Sequence, residues 1–107
     1  MKIYIAGKVT GEKIHECTMK FGEAQKKLEA LGHEAINPLQ VVNDWHATWQ
    51  DAMRKCIVAL MGAEAVLFLP DSELSKGARL ENHIAEAMEL KVFYHIKEVP
   101  NENHTRN

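Results

Sequence analysis

The stretch AEAVLFLPDSELSKGARLEN, residues 63 to 82, decides how the chain folds. Residues 63 to 70 are nearly all apolar, the pattern of a central parallel strand covered on both faces. Ser75 then reads as the cap of a helix running to about Leu90. A buried strand feeding a helix through a short loop is half of a β-α-β unit. Within that helix, Glu81 falls in line with an apolar stripe of Gly77, Ala78, Ile84, Ala85 and Met88. A carboxylate there costs desolvation energy unless something uses it.

Outward from this stretch the same alternation repeats. KIYIAG, residues 2 to 7, is a short β-rich run ending in Gly7. From Glu12 to Leu31 the apolar positions Ile14, Cys17, Phe21, Ala24, Leu28 and Leu31 mark one helix face, closed by Gly32. HEAINP, residues 33 to 38, reads as a second strand that Pro38 ends, and LQVVNDWHA as a loop. Thr48 caps the next helix, whose buried face is Trp49, Ala52, Met53, Cys56, Ile57 and Leu60, with Gly62 at its end. KVFYHI, residues 91 to 96, is the last strand, and residues 97 to 107 form a polar tail expected to fray. The order β-α-β-α-β-α-β predicts an α/β fold of the flavodoxin or Rossmann-like type. That is a three-layer sandwich with a parallel sheet of about four strands, in order 2-1-3-4, and helices on both faces.

The bulk properties exclude several classes. The 107 residues suffice for one domain. The net charge of −2 exerts no pull toward polymeric nucleic acid or anionic membranes. No apolar run approaches the roughly 20 residues that span a bilayer, and MKIYIAGK turns polar too soon for a secretory signal. Cys17 and Cys56 both fall on apolar helix stripes, so reduced buried thiols in a cytoplasmic protein are expected rather than a disulfide. The six histidines are scattered without metal-ligand spacing, so neither a metal nor a cofactor is expected.

In a parallel sheet of this type, ligands bind beyond the C-terminal strand ends where strand order reverses. The loops after Gly7, Pro38 and Pro70 meet there. Ser75, Gly77 and Glu81 form S-x-G-x-x-x-E at the strand-to-helix junction. The free N–H groups of that first turn favour an anion, Gly77 lets a group approach the backbone, and Glu81 leans back toward the crevice. The plainer reading is an ordinary cap, a packing glycine and a glutamate held by a neighbour. Tyr4 can offer its hydroxyl to a ligand or to Glu81, or simply pack in a strand. Trp45 is read either as a base-stacking ring or as loop-to-core packing, with Trp49 near the same mouth, and His46 is placed where it can touch a ligand. Lys76 and Arg79 either meet a phosphate or form a solvated helix face.

Taken together, KIYIAG, INP, the W-x-x-x-M-R that opens the second helix, AEAVLFLP and SKGARLE resemble the nucleoside 2-deoxyribosyltransferase-like superfamily over about residues 1 to 96. More narrowly, they resemble its short bacterial and phage-associated members. The resemblance implies cleavage or exchange of the N-glycosidic bond of a 2'-deoxynucleoside or its 5'-monophosphate. It makes Glu81 the nucleophile of a covalent deoxyribosyl intermediate, as in retaining glycoside hydrolysis. It also makes Tyr4 the residue that orients Glu81, and Ser75 and Gly77 the holders of the sugar's 5' end or its phosphate. Family members carry an aspartate on the second helix, eight residues before the acidic residue that opens the third strand; counting back from Glu64, that position is Cys56 here. Asp51 cannot replace it, since five residues are about 500° of helix rotation and so about 140° off that face. Asp71, at the end of the third strand, and Asp44, in the loop after the second, are the candidate substitutes. Lys8 stands where a proline often follows the first-strand glycine, and with Gly7 it joins the expected substrate-binding set. The missing aspartate keeps open a nucleotide-binding module without turnover, and an interaction domain without a small ligand is the third possibility. A homodimer or higher homo-oligomer is expected, because family members commonly assemble and a small α/β unit leaves its crevice shallow.

Overall fold

The computed structural model describes residues 1–102. Its sheet is parallel throughout and its strands run in the order β2-β1-β3-β4. Strand β1 (Lys2–Ala6) pairs with β2 (Glu34–Ile36) on one side and β3 (Ala65–Phe68) on the other, and β4 (Lys91–Phe93) closes the far edge of β3. The register sets Tyr4 beside Val66 and Ala6 beside Phe68. Side chains alternate across a strand, so the two central strands feed two cores.

Helix α1 (Ile14–Ala30) covers the first face. Its Cys17, Phe21, Ala24 and Leu28 pack on Ile3, Ile5, Ala65 and Leu67. Helices α3 (Trp49–Met61) and α4 (Lys76–Ala87) cover the second. There Cys56, Leu60, Ala78 and Ala85 pack on Tyr4, Ala6, Val66 and Phe68. Each large side chain buried in this way stabilises the fold by about 1.5–3 kcal/mol. Cys17 and Cys56 are free thiols in opposite cores, so the sheet lies between them. Among the described residues no helix is long and apolar enough to cross a membrane.

The helix starts follow local chemistry. Thr48 Oγ1 accepts the Asp51 N–H at 3.1 Å, and Ser75 Oγ accepts the Ala78 N–H at 3.1 Å. In the segment read as a plain loop, a short helix α2 (Pro38–Val42) intervenes. Asn37 caps it by accepting the Leu39 N–H at 3.0 Å, and Pro38 sits at its first position, where a missing N–H is harmless.

Three further expectations are corrected. The last strand stops at Phe93, not residue 96, and a 3-10 turn occupies Ile96–Glu98. The polar segment after residue 96 does not fray at once. Val99 is buried in the α1-side core, His33 Nε2 donates to the Pro100 carbonyl at 2.6 Å, and the Glu102 N–H bonds to the Leu31 carbonyl. Residues 103–107 of the expected tail lie outside the described residues. Ile14 and Met88, assigned to buried stripes, are 55% and 59% exposed.

Candidate active site

The strand order reverses between β1 and β3, and their C-terminal ends open onto a cleft of about 440 Å³. Tyr4 and Glu81 both line it. Tyr4, third residue of β1, points to the α3/α4 face because the strand alternates Ile3 and Ile5 to the other side. Glu81 sits in the second turn of α4 and is only 4% exposed. The Tyr4 hydroxyl donates to Glu81 Oε2 at 2.6 Å. No hydrogen bond among the described residues reaches Oε1. No buried side-chain polar atom lacks a partner, so Oε1 is open to the cleft.

Burial disfavours the charged carboxylate and raises Glu81 from its ordinary 4.5 to about 7, against the Tyr4 hydrogen bond, which lowers it. Burial first, and then the Glu81 charge, push the Tyr4 hydroxyl well above its ordinary value. Cys56 of α3 sits beside the pair, and burial raises its thiol as well. The result is a carboxyl poised between its two forms near neutrality, flanked by two groups that keep their protons.

Ser75 and Gly77 also line the cleft. Because Ser75 Oγ takes the Ala78 N–H, the N–H groups of Lys76 and Gly77 keep no partner among the described residues. They remain available at the helix start. The close approach expected at Gly77 has a specific cause. A Cβ there would stand 2.8 Å from Met53 Sδ, so the absent side chain lets α3 and α4 meet. Gly7 is similar: a Cβ would lie 3.0 Å from Leu69 Cδ1 and 3.2 Å from Asp71 Oδ1.

Of the other expected residues, Asp44 and Trp45 line the cleft. Asp44 is exposed, and its Oδ1 accepts the His46 N–H at 2.9 Å, while His46 itself is not in the lining. Trp45 is 47% exposed, which excludes the core-packing reading. Trp49 is half-buried, with Lys76 Nζ 4.2 Å above its ring. Asp71 and Lys8 are not brought into the lining. Asp71 accepts the Lys8 N–H at 3.1 Å and pairs with Lys20 Nζ at 2.5 Å. Lys20 also donates to the Lys8 carbonyl at 2.7 Å. Asp71 therefore ties the β1 loop to the β3 loop. Arg79 donates to the Glu73 carbonyl and faces a separate crevice.

Glu12, Ile14 and Met53 line the cleft without having been singled out for it. Ile14 and Met53 carried only an apolar helix signal, and Glu12 only a helix-start signal. Nothing local in the sequence told them from core or solvent residues. Among the described residues no three His, Cys, Asp or Glu side chains gather to hold a metal ion.

A family model described as a domain of unknown function, DUF4406, matches residues 1–94. The chain belongs to the DUF4406 family. No curated protein sequence matches it. Among solved structures, this DUF4406 protein is similar to a 2-deoxyribosyltransferase from the psychrotolerant bacterium Bacillus psychrosaccharolyticus. The TM-score is 0.68 at 17% identity, over 86% of this chain and 69% of that one. At that identity the likeness establishes a shared deoxyribosyltransferase-like fold. The DUF4406 chain thus presents, on that fold, a buried carboxyl with one oxygen held and the other open. Such a group can attack an electrophilic carbon and carry it as an ester.

Proposed function

We propose that the protein cleaves or exchanges the N-glycosidic bond of a 2'-deoxynucleoside or its 5'-monophosphate through a covalent Glu81 intermediate. One observation carries this reading: the Glu81 carboxyl, buried beneath the cleft, is gripped by Tyr4 at 2.6 Å and keeps Oε1 free. Tyr4 fixes the carboxyl so that its free oxygen faces C1' of the sugar. The unpaired N–H groups at the start of α4, with Ser75 and Gly77, receive the sugar's 5' end, and Gly7 and Asp44 complete the wall. Burial makes the carboxylate a stronger nucleophile than an exposed one while leaving about half of it ionised at pH 7.

A second reading has one observation in its favour. Cys56, a neutral thiol beside Tyr4 and Glu81, stands where the resemblance implied an aspartate. A nucleotide-binding module without turnover fits that substitution. Two free thiols suit a cytoplasmic protein. Val58 on α3 and Leu80 on α4, both apolar and exposed, suit a homo-oligomer.

The test is incubation with a panel of 2'-deoxynucleosides and their 5'-monophosphates, followed by chromatography for free base. The expected result is base release by wild type and none by Glu81→Ala. A second free base then separates exchange from hydrolysis. No release by wild type, with a ligand-induced rise in melting temperature, favours the binding module.

A further inference from the structure

Resting on the reading of Glu81 as nucleophile, we infer that the substrate of this cleft carries a positively charged base, an N-alkylated purine or a pyridinium, whose departure needs no general acid. The charged residues lining the cleft are Glu12, Asp44 and Glu81, with no lysine, arginine or histidine among them. Glu12 is compensated by Lys20 at 3.4 Å and Lys8 at 3.9 Å. Asp44 and Glu81 have no cationic partner among the described residues. The nearby cations are engaged elsewhere: Lys20 on Asp71, Arg79 on the Glu73 carbonyl, and Lys76 over the Trp49 ring. A 5'-phosphate would meet two uncompensated carboxylates, whereas a cationic ring meets opposite charge on both.

The rim supports the same choice. Trp49 already carries an ammonium 4.2 Å from its ring centroid, and Trp45 presents a half-exposed indole beside it. Indole faces attract cations and stack on flat rings.

The leaving group bears on the same choice. A neutral base departs as an anion unless something protonates it. The proton-bearing groups beside Glu81 are the Tyr4 hydroxyl and the Cys56 thiol, and both hold their protons tightly. Asp71 is bound to Lys20 outside the cleft. A cationic base removes the need for an acid. An oxygen lone pair of Glu81 forms the bond to C1', and the C1'–N bond breaks. Its electron pair moves onto the ring nitrogen and discharges the cation. The neutral base leaves, and the deoxyribosyl ester remains. Water then attacks C1', the ester bond returns its pair to the carboxylate, and the surplus proton passes to solvent.

The experiment compares 7-methyl-2'-deoxyguanosine with 2'-deoxyguanosine, and adds nicotinamide 2'-deoxyriboside, with spontaneous release subtracted. We expect kcat/KM for the cationic substrates to exceed that for 2'-deoxyguanosine by at least about 100-fold, the scale a missing general acid sets. Asp44→Asn should narrow that ratio about twofold to fivefold, which leaving-group lability alone would not do. The pyridinium rate should rise through one ionisation near neutrality and stay level above it. The groups facing Glu81 are Tyr4 from β1, Cys56 from α3, and Glu12 and Asp44 across the cleft. Tyr4 and Cys56, both raised by burial, should add no falling limb below about pH 9. Equal or faster release from 2'-deoxyguanosine, a bell-shaped profile, or a ratio indifferent to Asp44→Asn overturns the inference and leaves the proposed function standing. No release from either class overturns both.

Discussion

Replacing Glu81 by glutamine should stabilise the protein above neutral pH and flatten its pH dependence. Burial holds the folded carboxyl at about 7, against an ordinary 4.5 in the unfolded chain. Between those values the folded state binds the proton more tightly than the unfolded state. The stability from this group is therefore complete below about pH 4.5 and is lost as pH rises through about 7. The loss is about 3 kcal/mol across the window, at about 1.4 kcal/mol for each tenfold change in proton affinity. With a urea slope of roughly 2 kcal/mol per M, the wild-type midpoint should fall by about 1.5 M from pH 4.5 to pH 8. Glutamine keeps the shape and an oxygen for the Tyr4 hydroxyl, and it cannot ionise. Its amide lacks an acceptor inside the protein, which returns about 1 kcal/mol. The variant should therefore exceed wild type by about 1–2 kcal/mol at pH 8 and match or fall slightly below it at pH 5. Every other ionisable group is common to both chains, so the difference between the two curves isolates Glu81. A Glu81→Gln chain whose midpoint falls with pH as steeply as wild type would refute the reasoning, because the carboxyl would then not be the desolvated group.

Tyr4→Phe removes the donor that favours the Glu81 carboxylate, so the rising limb of the activity profile should move to higher pH; an unmoved limb would show that the hydroxyl does not tune the nucleophile. Gly77→Ala brings a Cβ to within 2.8 Å of Met53 Sδ and should cost about 1 kcal/mol in urea unfolding, with much of it regained in the Gly77→Ala/Met53→Ala pair relative to Met53→Ala alone. Lys20→Met strands Asp71 against the Lys8 backbone and should cost about 1–2 kcal/mol, a partly exposed pair losing less than a buried one. Its melting temperature should fall accordingly, and an unchanged value would deny that this tie holds the two loops.

What was legible in the sequence was what repeats at short range. The apolar run of β3, the 3-4 spacing on α1 and the caps Thr48 and Ser75 are each local signals, and the α/β alternation leaves few ways to order a parallel sheet. Glu81 was legible for the converse reason, as a carboxylate in an apolar stripe that local pattern could not explain. What escaped depends on contacts distant in the chain. Helix α2 is only five residues long, and its signal is a single asparagine before a proline. Val99 finds its place only once α1 and the sheet exist to receive it. Asp71 had the right sequence position for the crevice, yet Lys20, fifty-one residues away, draws it aside. Gly77 had a legible freedom but an illegible partner, since Met53 arrives from another helix.

The same distinction bears on function. The buried carboxyl and its tyrosine can be read from two motifs, because one lies on a strand and the other near a helix start that the topology brings together. The specificity cannot, because it depends on which charges remain after the loop residues have paired. The sequence holds ten lysines and three arginines, yet the lysines nearest the cleft pair with Glu12 and Asp71 or lie over Trp49. What is left uncompensated along the cleft is Asp44 and Glu81, with two indoles beside them. On the inferred preference for a cationic base, the cleft selects its substrate by the acidity that remains once its basic neighbours have paired with its own loops, and that remainder exists only in the folded chain.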